Sequence, residues 1–135
     1  MDAEALVRRF WQQVFDDRDL AAAAGLVAAD LQWRGSLGRE TSGLAEFLTY
    51  AGAAQLAMPD LRVTLDEVAV HGPQVWARMT FRATHLGELL GVAATGRPIA
   101  YVGLAVHDVR DGLLQRVWVV ADTLSLHRRI VAAES

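Results

Sequence analysis

The chain predicts an α+β fold, with a curved antiparallel sheet packed against N-terminal helices, and three observations carry that expectation. Apolar residues recur at helical spacing as far as about Ala57, strand-type alternation takes over after Pro59, and a tight Asp111-Gly112 turn joins the last two long runs. Helices first and a meander afterwards imply segregated layers. A strongly curved sheet leaves a hollow on its concave face, and such hollows are the usual place for a ligand.

Leu6, Phe10, Val14 and Phe15 fall on one face of a helix from Ala3 to about Asp17, and Ala21 to Ala28 suggests a second, shorter helix after Asp19. Leu31-Gln32-Trp33-Arg34 reads as a short strand. Gly35, Gly38 and Gly43 mark a loop, and Leu44, Phe47, Leu48 and Ala51 give a third helix to about Ala57. Leu61 to Val70 alternates and ends at the Gly72-Pro73 turn. Val75 to about Leu90, Pro98 to Asp108 and Leu113 to Ala121 are the later strands, and Thr123 to Ile130 has helical spacing again.

At 135 residues the chain is expected to form one domain, 1–135. Its 53% hydrophobic content is ample for a core, and a formal charge of −3 argues against nucleic acid or an anionic membrane as partner. All 13 basic residues are arginine and there is no cysteine, which excludes thiolate nucleophiles, Schiff-base lysines and the P-loop. No apolar stretch reaches the roughly eighteen residues of a membrane span. Met1-Asp2-Ala3-Glu4 lacks the basic start of a signal peptide, so the cytoplasm is the expected location.

Asp122 is the leading candidate for chemistry. It follows the apolar run Leu113–Ala121, and a carboxyl delivered into an apolar hollow has its pKa raised and can exchange a proton near neutrality. The same residue also reads as the N-cap of the helix that follows, which favours the carboxylate instead. By alternation Arg116, Trp118, Val120 and Asp122 share one face, as do Ile99, Tyr101, Gly103, Ala105 and His107; the set with Tyr101 and His107 is assigned to the hollow. His107 and His85 are candidate proton-transfer or orienting groups, whereas His71 and His127 read as exposed. Trp33, Trp118, Phe10, Phe47 and Tyr101 could wall a pocket, and Arg34 and Arg116 could bind carboxylate or enolate oxygens. The spacing of His85, His107 and Asp122 does not support a metal site, and none is expected.

Thr84-His85-Leu86-Gly87-Glu88-Leu89-Leu90-Gly91, Thr95-Gly96-Arg97-Pro98, Gly103, Asp111-Gly112, Trp118 and Asp122, with Met58-Pro59-Asp60-Leu61 before them, resemble in order and spacing the SnoaL-like polyketide cyclase family. The resemblance covers nearly the whole chain. It implies the cone-shaped fold of nuclear transport factor 2 and a cofactor-free intramolecular aldol ring closure on a hydrophobic carbonyl compound. In that reaction Asp122 is the general acid/base, and His107 or His85 with nearby hydroxyls stabilises the enolate. The chain has Arg116, Arg34 and Ala105 where the family commonly carries glutamate, histidine and an acidic residue. The same cone hosts isomerases, epoxide hydrolases and binding proteins. An epoxide hydrolase needs a second carboxylate in the hollow, and Asp108 lies on the opposite face from His107. A non-catalytic binding or dimerisation module would fill the hollow with rings. A homodimer through the uncovered sheet face is expected.

Overall fold

In a computed structural model, which describes residues 1–134, the first helix is α1, Ala3–Phe10, capped by Asp2, whose carboxylate accepts from Ala5 N at 2.7 Å. It does not run on as α-helix to Asp17. Trp11–Asp16 widens into a π-turn, and the wider turn lets the Trp11 indole reach a buried histidine on the far strand. The opened carbonyl of Val14 is met by Gln55 Nε2 at 3.0 Å. The expected second helix is only a 3₁₀ segment, Leu20–Gly25, because Val27 and Ala28 already belong to the first strand.

That strand, β1, is Val27–Arg34. After it come β2, Glu40–Ser42, and α2, Leu44–Ala57. The meander consists of β3, Arg62–His71, β4, Gln74–Thr84, β5, Pro98–Arg110, and β6, Leu113–Ala121, and the chain closes with α3, Thr123–Glu134. The sheet order is β2-β1-β6-β5-β4-β3, antiparallel throughout except for the parallel pair β1–β6. Asp111 and Gly112, both at positive φ, form the turn between β5 and β6.

β4 stops at Thr84 rather than near Leu90. Residues 86–97 form an irregular segment with one bridge, Leu89–Val92, and the residues buried from it are Leu89 and Val92. Gly87 crosses the end of α2 so closely that a Cβ there would stand 2.7 Å from Ala57 Cα, a contact only glycine permits.

One face of each long strand is buried: Val75, Ala77, Met79, Phe81 and Ala83 on β4, Ile99, Tyr101, Gly103, Ala105 and His107 on β5, and Leu114, Val117 and Val119 on β6. Phe10, Trp11, Phe15, Trp33 and Phe47 pack onto them from the helices and β1. Phe15 stacks on Trp33 at 5.7 Å, Trp33 meets Phe47 edge-on at 4.8 Å, and Phe81 stacks on Tyr101 at 4.9 Å. These rings fill the concave side of the sheet where a hollow was expected.

Candidate functional site

Asp122 is not inside the cone. The buried residues of β6 are Leu114, Val117 and Val119, so Arg116, Trp118, Val120 and Asp122 share a face, as expected, but it is the outer one. Asp122 is exposed and caps α3, accepting from Ser125 N at 3.0 Å. Its pKa is lowered, first by the Ser125 side chain and then by its backbone N–H. The raised pKa of a buried acid is therefore absent, and the capping role is the one realised. Two other expected ligand contacts also lie outside: Trp118 has the Arg34 guanidinium 5.7 Å from its ring, and Arg116 pairs with Asp108 at 2.7 Å. Arg34 also donates to Val119 O. Phe10, Phe47 and Trp33 are core residues.

His107 faces inward, as assigned, but both ring nitrogens are engaged. Nδ1 donates to Val75 O at 2.8 Å, and Nε2 accepts from Trp11 Nε1 at 2.9 Å. Burial pushes its pKa down to about 4, against the opposing effects of Val75 O and Asp108. It is a neutral structural group at neutral pH rather than a proton shuttle.

His85 differs. It is fully buried, continues the inward row of β4, and is held at the base of the 86–97 segment by His85 N donating to Arg97 O and Gly96 N donating to His85 O, each at 2.9 Å. The Thr95 backbone N–H donates to Nδ1 at 3.3 Å, and Thr95 Oγ1 stands 3.0 Å from the same atom. Nδ1 is thus the acceptor and the ring proton sits on Nε2. Nε2 is buried and has no hydrogen-bond partner among the described residues. A buried N–H without an acceptor costs about 1–3 kcal/mol; Arg18 Nε, Trp33 Nε1 and Thr41 Oγ1 share that status, and His85 is the one of the four whose other polar ring atom is already engaged by a backbone N–H.

The 86–97 segment also walls a groove of about 780 Å³ along α2. Ala45, Ala53 and Ala57 of α2 give it an apolar side, and Leu37, Tyr50, Met58 and Leu89 also line it. Its charged residues are Arg39, Glu40, Glu46 and Glu88. On the concave face of the sheet, Tyr101 OH and Ser36 Oγ are 3.0 Å apart. Burial raises the Tyr101 pKa to about 12, more than the Ser36 contact lowers it, so Tyr101 is a neutral donor. Ser36 was not singled out from the sequence; its partner is 65 positions away, and no local pattern could announce it.

Among the described residues no carboxylate is buried, and no group of three or more His, Asp or Glu side chains converges as a metal site. The two carboxylates that an epoxide hydrolase would need in the hollow are thus not present there; Asp108 lies outside with Gln74 and Arg116.

The sequence pattern of SnoaL-like polyketide cyclases matches residues 5–130. No curated protein matches the chain. Among solved structures, IdmH from Streptomyces antibioticus is 25% identical, with 96% of this chain and 98% of that one aligned at a TM-score of 0.81. TsrD from Streptomyces laurentii is 24% identical, with coverage of 96% and 97% and a TM-score of 0.82. A SnoaL-like polyketide cyclase from Agrobacterium tumefaciens is 17% identical, with coverage of 96% and 98% and a TM-score of 0.82. The last two likenesses concern the fold.

Proposed function

The chain belongs to the SnoaL-like polyketide cyclase family, and from that premise we propose that it is a cofactor-independent cyclase or isomerase acting on a small hydrophobic carbonyl compound at the groove along α2. One observation carries the reading: the buried Nε2–H of His85 has its tautomer fixed and has no acceptor among the described residues. His85 does not itself line the groove, but it holds the base of the segment whose Glu88 and Leu89 do, so the carbonyl end of the substrate has to pass beneath that segment to meet it. A neutral imidazole N–H is suited to polarise a carbonyl oxygen and to hold the enolate that forms when an α-proton leaves. The hydroxyl pair Tyr101–Ser36, in which one proton is used between the two oxygens, leaves one further uncharged donor on the concave face of the sheet. The proton acceptor is a carboxylate at the groove, with Glu88 favoured because it rides on the same segment as His85. Asp122 has no part in this scheme.

Deuterium uptake at the α-carbon of 2-tetralone in D2O, followed by proton NMR, tests the proposal without knowledge of the natural substrate. Protein-accelerated uptake is the expected result. A second reading, a binding module without chemistry, is favoured by the ring-filled cone; saturable binding of the ketone with no gain in exchange would establish it instead.

The outer sheet face is proposed to join a second copy of the chain. The cross-strand row Trp76–Val106–Trp118 and the pair Leu104–Val120 place large apolar side chains side by side, with Leu104 58% and Trp76 49% exposed. Sedimentation equilibrium should give twice the chain mass, and Leu104→Glu should halve it. A monomer in the unmodified protein contradicts this assembly.

A further inference from the structure

Where β3, β4 and β5 meet at the α3 end of the sheet, the outer face carries an arrangement that the reading above does not use. Arg62 and Arg82 are direct partners across β3–β4, and Arg82 is the direct partner of Ala100 across β4–β5. β6 has already ended at Ala121, and Arg129 of α3 donates to the Ala100 carbonyl at 2.8 Å. The three arginines thus line one shallow depression of about 450 Å³.

Like charges set directly opposite one another on a sheet are destabilising unless something neutralises them. Asp60 also lines the depression, but its carboxylate oxygens are occupied by Thr84 N at 2.8 Å and Thr84 Oγ1 at 2.6 Å. Arg62 donates to the Asp16 backbone carbonyl at 3.4 Å, and its charge acts on the Asp16 carboxylate, which is itself bonded to Val63 N. The Arg82 side chain has no hydrogen-bond or ion-pair partner among the described residues. Three guanidinium groups against the single Asp60 carboxylate leave the recess with an excess of positive charge, and a guanidinium with no bonded carboxylate between two others has the chemistry of an anion receptor; planar guanidinium forks match tetrahedral phosphate oxygens especially well.

We propose that this recess binds a small phosphate-type anion, with Arg82 as the central ligand and Arg62 and Arg129 flanking it. The site lies on the outer side of the sheet, away from the α2 groove, and is independent of the enzymatic reading. It is exposed, so salt should weaken it.

Inorganic diphosphate titrated into the full chain at constant ionic strength, followed by 31P line broadening and by melting temperature, tests the proposal. Saturable binding is expected, weakened about tenfold in Arg82→Gln and unchanged in Arg110→Gln at the opposite end of β5. Without anion, Arg82→Gln should melt at the same temperature as the parent or higher, because it removes a like-charge opposition; this separates lost binding from lost folding. Glycerol 3-phosphate in parallel distinguishes sources: tighter binding than diphosphate assigns the recess to a phosphorylated organic compound, weaker binding to free phosphate. No saturable response, or equal responses in the parent and Arg82→Gln, overturns the proposal.

Discussion

Lowering the pH from 7 to 4 will cost the fold about 3 kcal/mol through His107 alone. An unfolded histidine takes up its proton near pH 6.5, whereas burial holds the folded His107 neutral down to about pH 4. Between those two values the unfolded chain binds the extra proton, so stability is complete above pH 6.5, declines as the pH falls, and levels off for this residue below pH 4. Protonation would also destroy the acceptor for Trp11 Nε1, the bond that ties the π-turn to β5. His107→Gln can still accept from Trp11 and donate to Val75 O, but it does not titrate. Urea unfolding of both proteins at several pH values should give curves that diverge by that amount between pH 6.5 and 4. Carboxylates such as Asp60 and Asp16, whose pKa values are shifted in the fold, contribute equally to both proteins and cancel in the difference. Parallel curves would mean that His107 is not held neutral.

Replacing His85 by leucine is expected to lower ketone α-exchange by about 10²–10³-fold, the usual cost of removing one donor from an oxyanion site. Stability should fall by less than about 1 kcal/mol or should rise. Leucine removes a buried donor that has no partner among the described residues, and Thr95, whose N–H it leaves behind, is only half-buried. Loss of activity without loss of stability is the signature of a residue retained for binding. A purely structural histidine would show the reverse.

The layer order was legible because periodicity is a local property: α2, β6 and the Asp111-Gly112 turn lie where the spacing puts them. β2 was missed because three residues between glycine-rich stretches carry no period. The inward face of β5 followed from its glycine and aromatic residues, but the same logic misled on β6. There Trp118 is an exposed aromatic 5.7 Å from a guanidinium, and the inner face is built of valine and leucine. Asp122 offered two roles from one sequence position, and only the path of the chain past Ala121 decides between a cap and a buried acid. His85 looked equivalent to His107 in sequence. The difference is which distant groups meet the rings: Trp11 and Val75 use up both nitrogens of one, and Thr95 uses a single nitrogen of the other.

The central claim is that His85 presents an Nε2–H donor to a carbonyl oxygen. Long-range 1H–15N NMR of the imidazole rings in the full chain, recorded before and after saturation with 2-tetralone, tests it directly. Nε2 should resonate as the protonated nitrogen in the free protein, and its proton should move downfield when the ketone binds. A proton found on Nδ1, or an Nε2–H signal that stays put while the ketone is bound, would contradict the account.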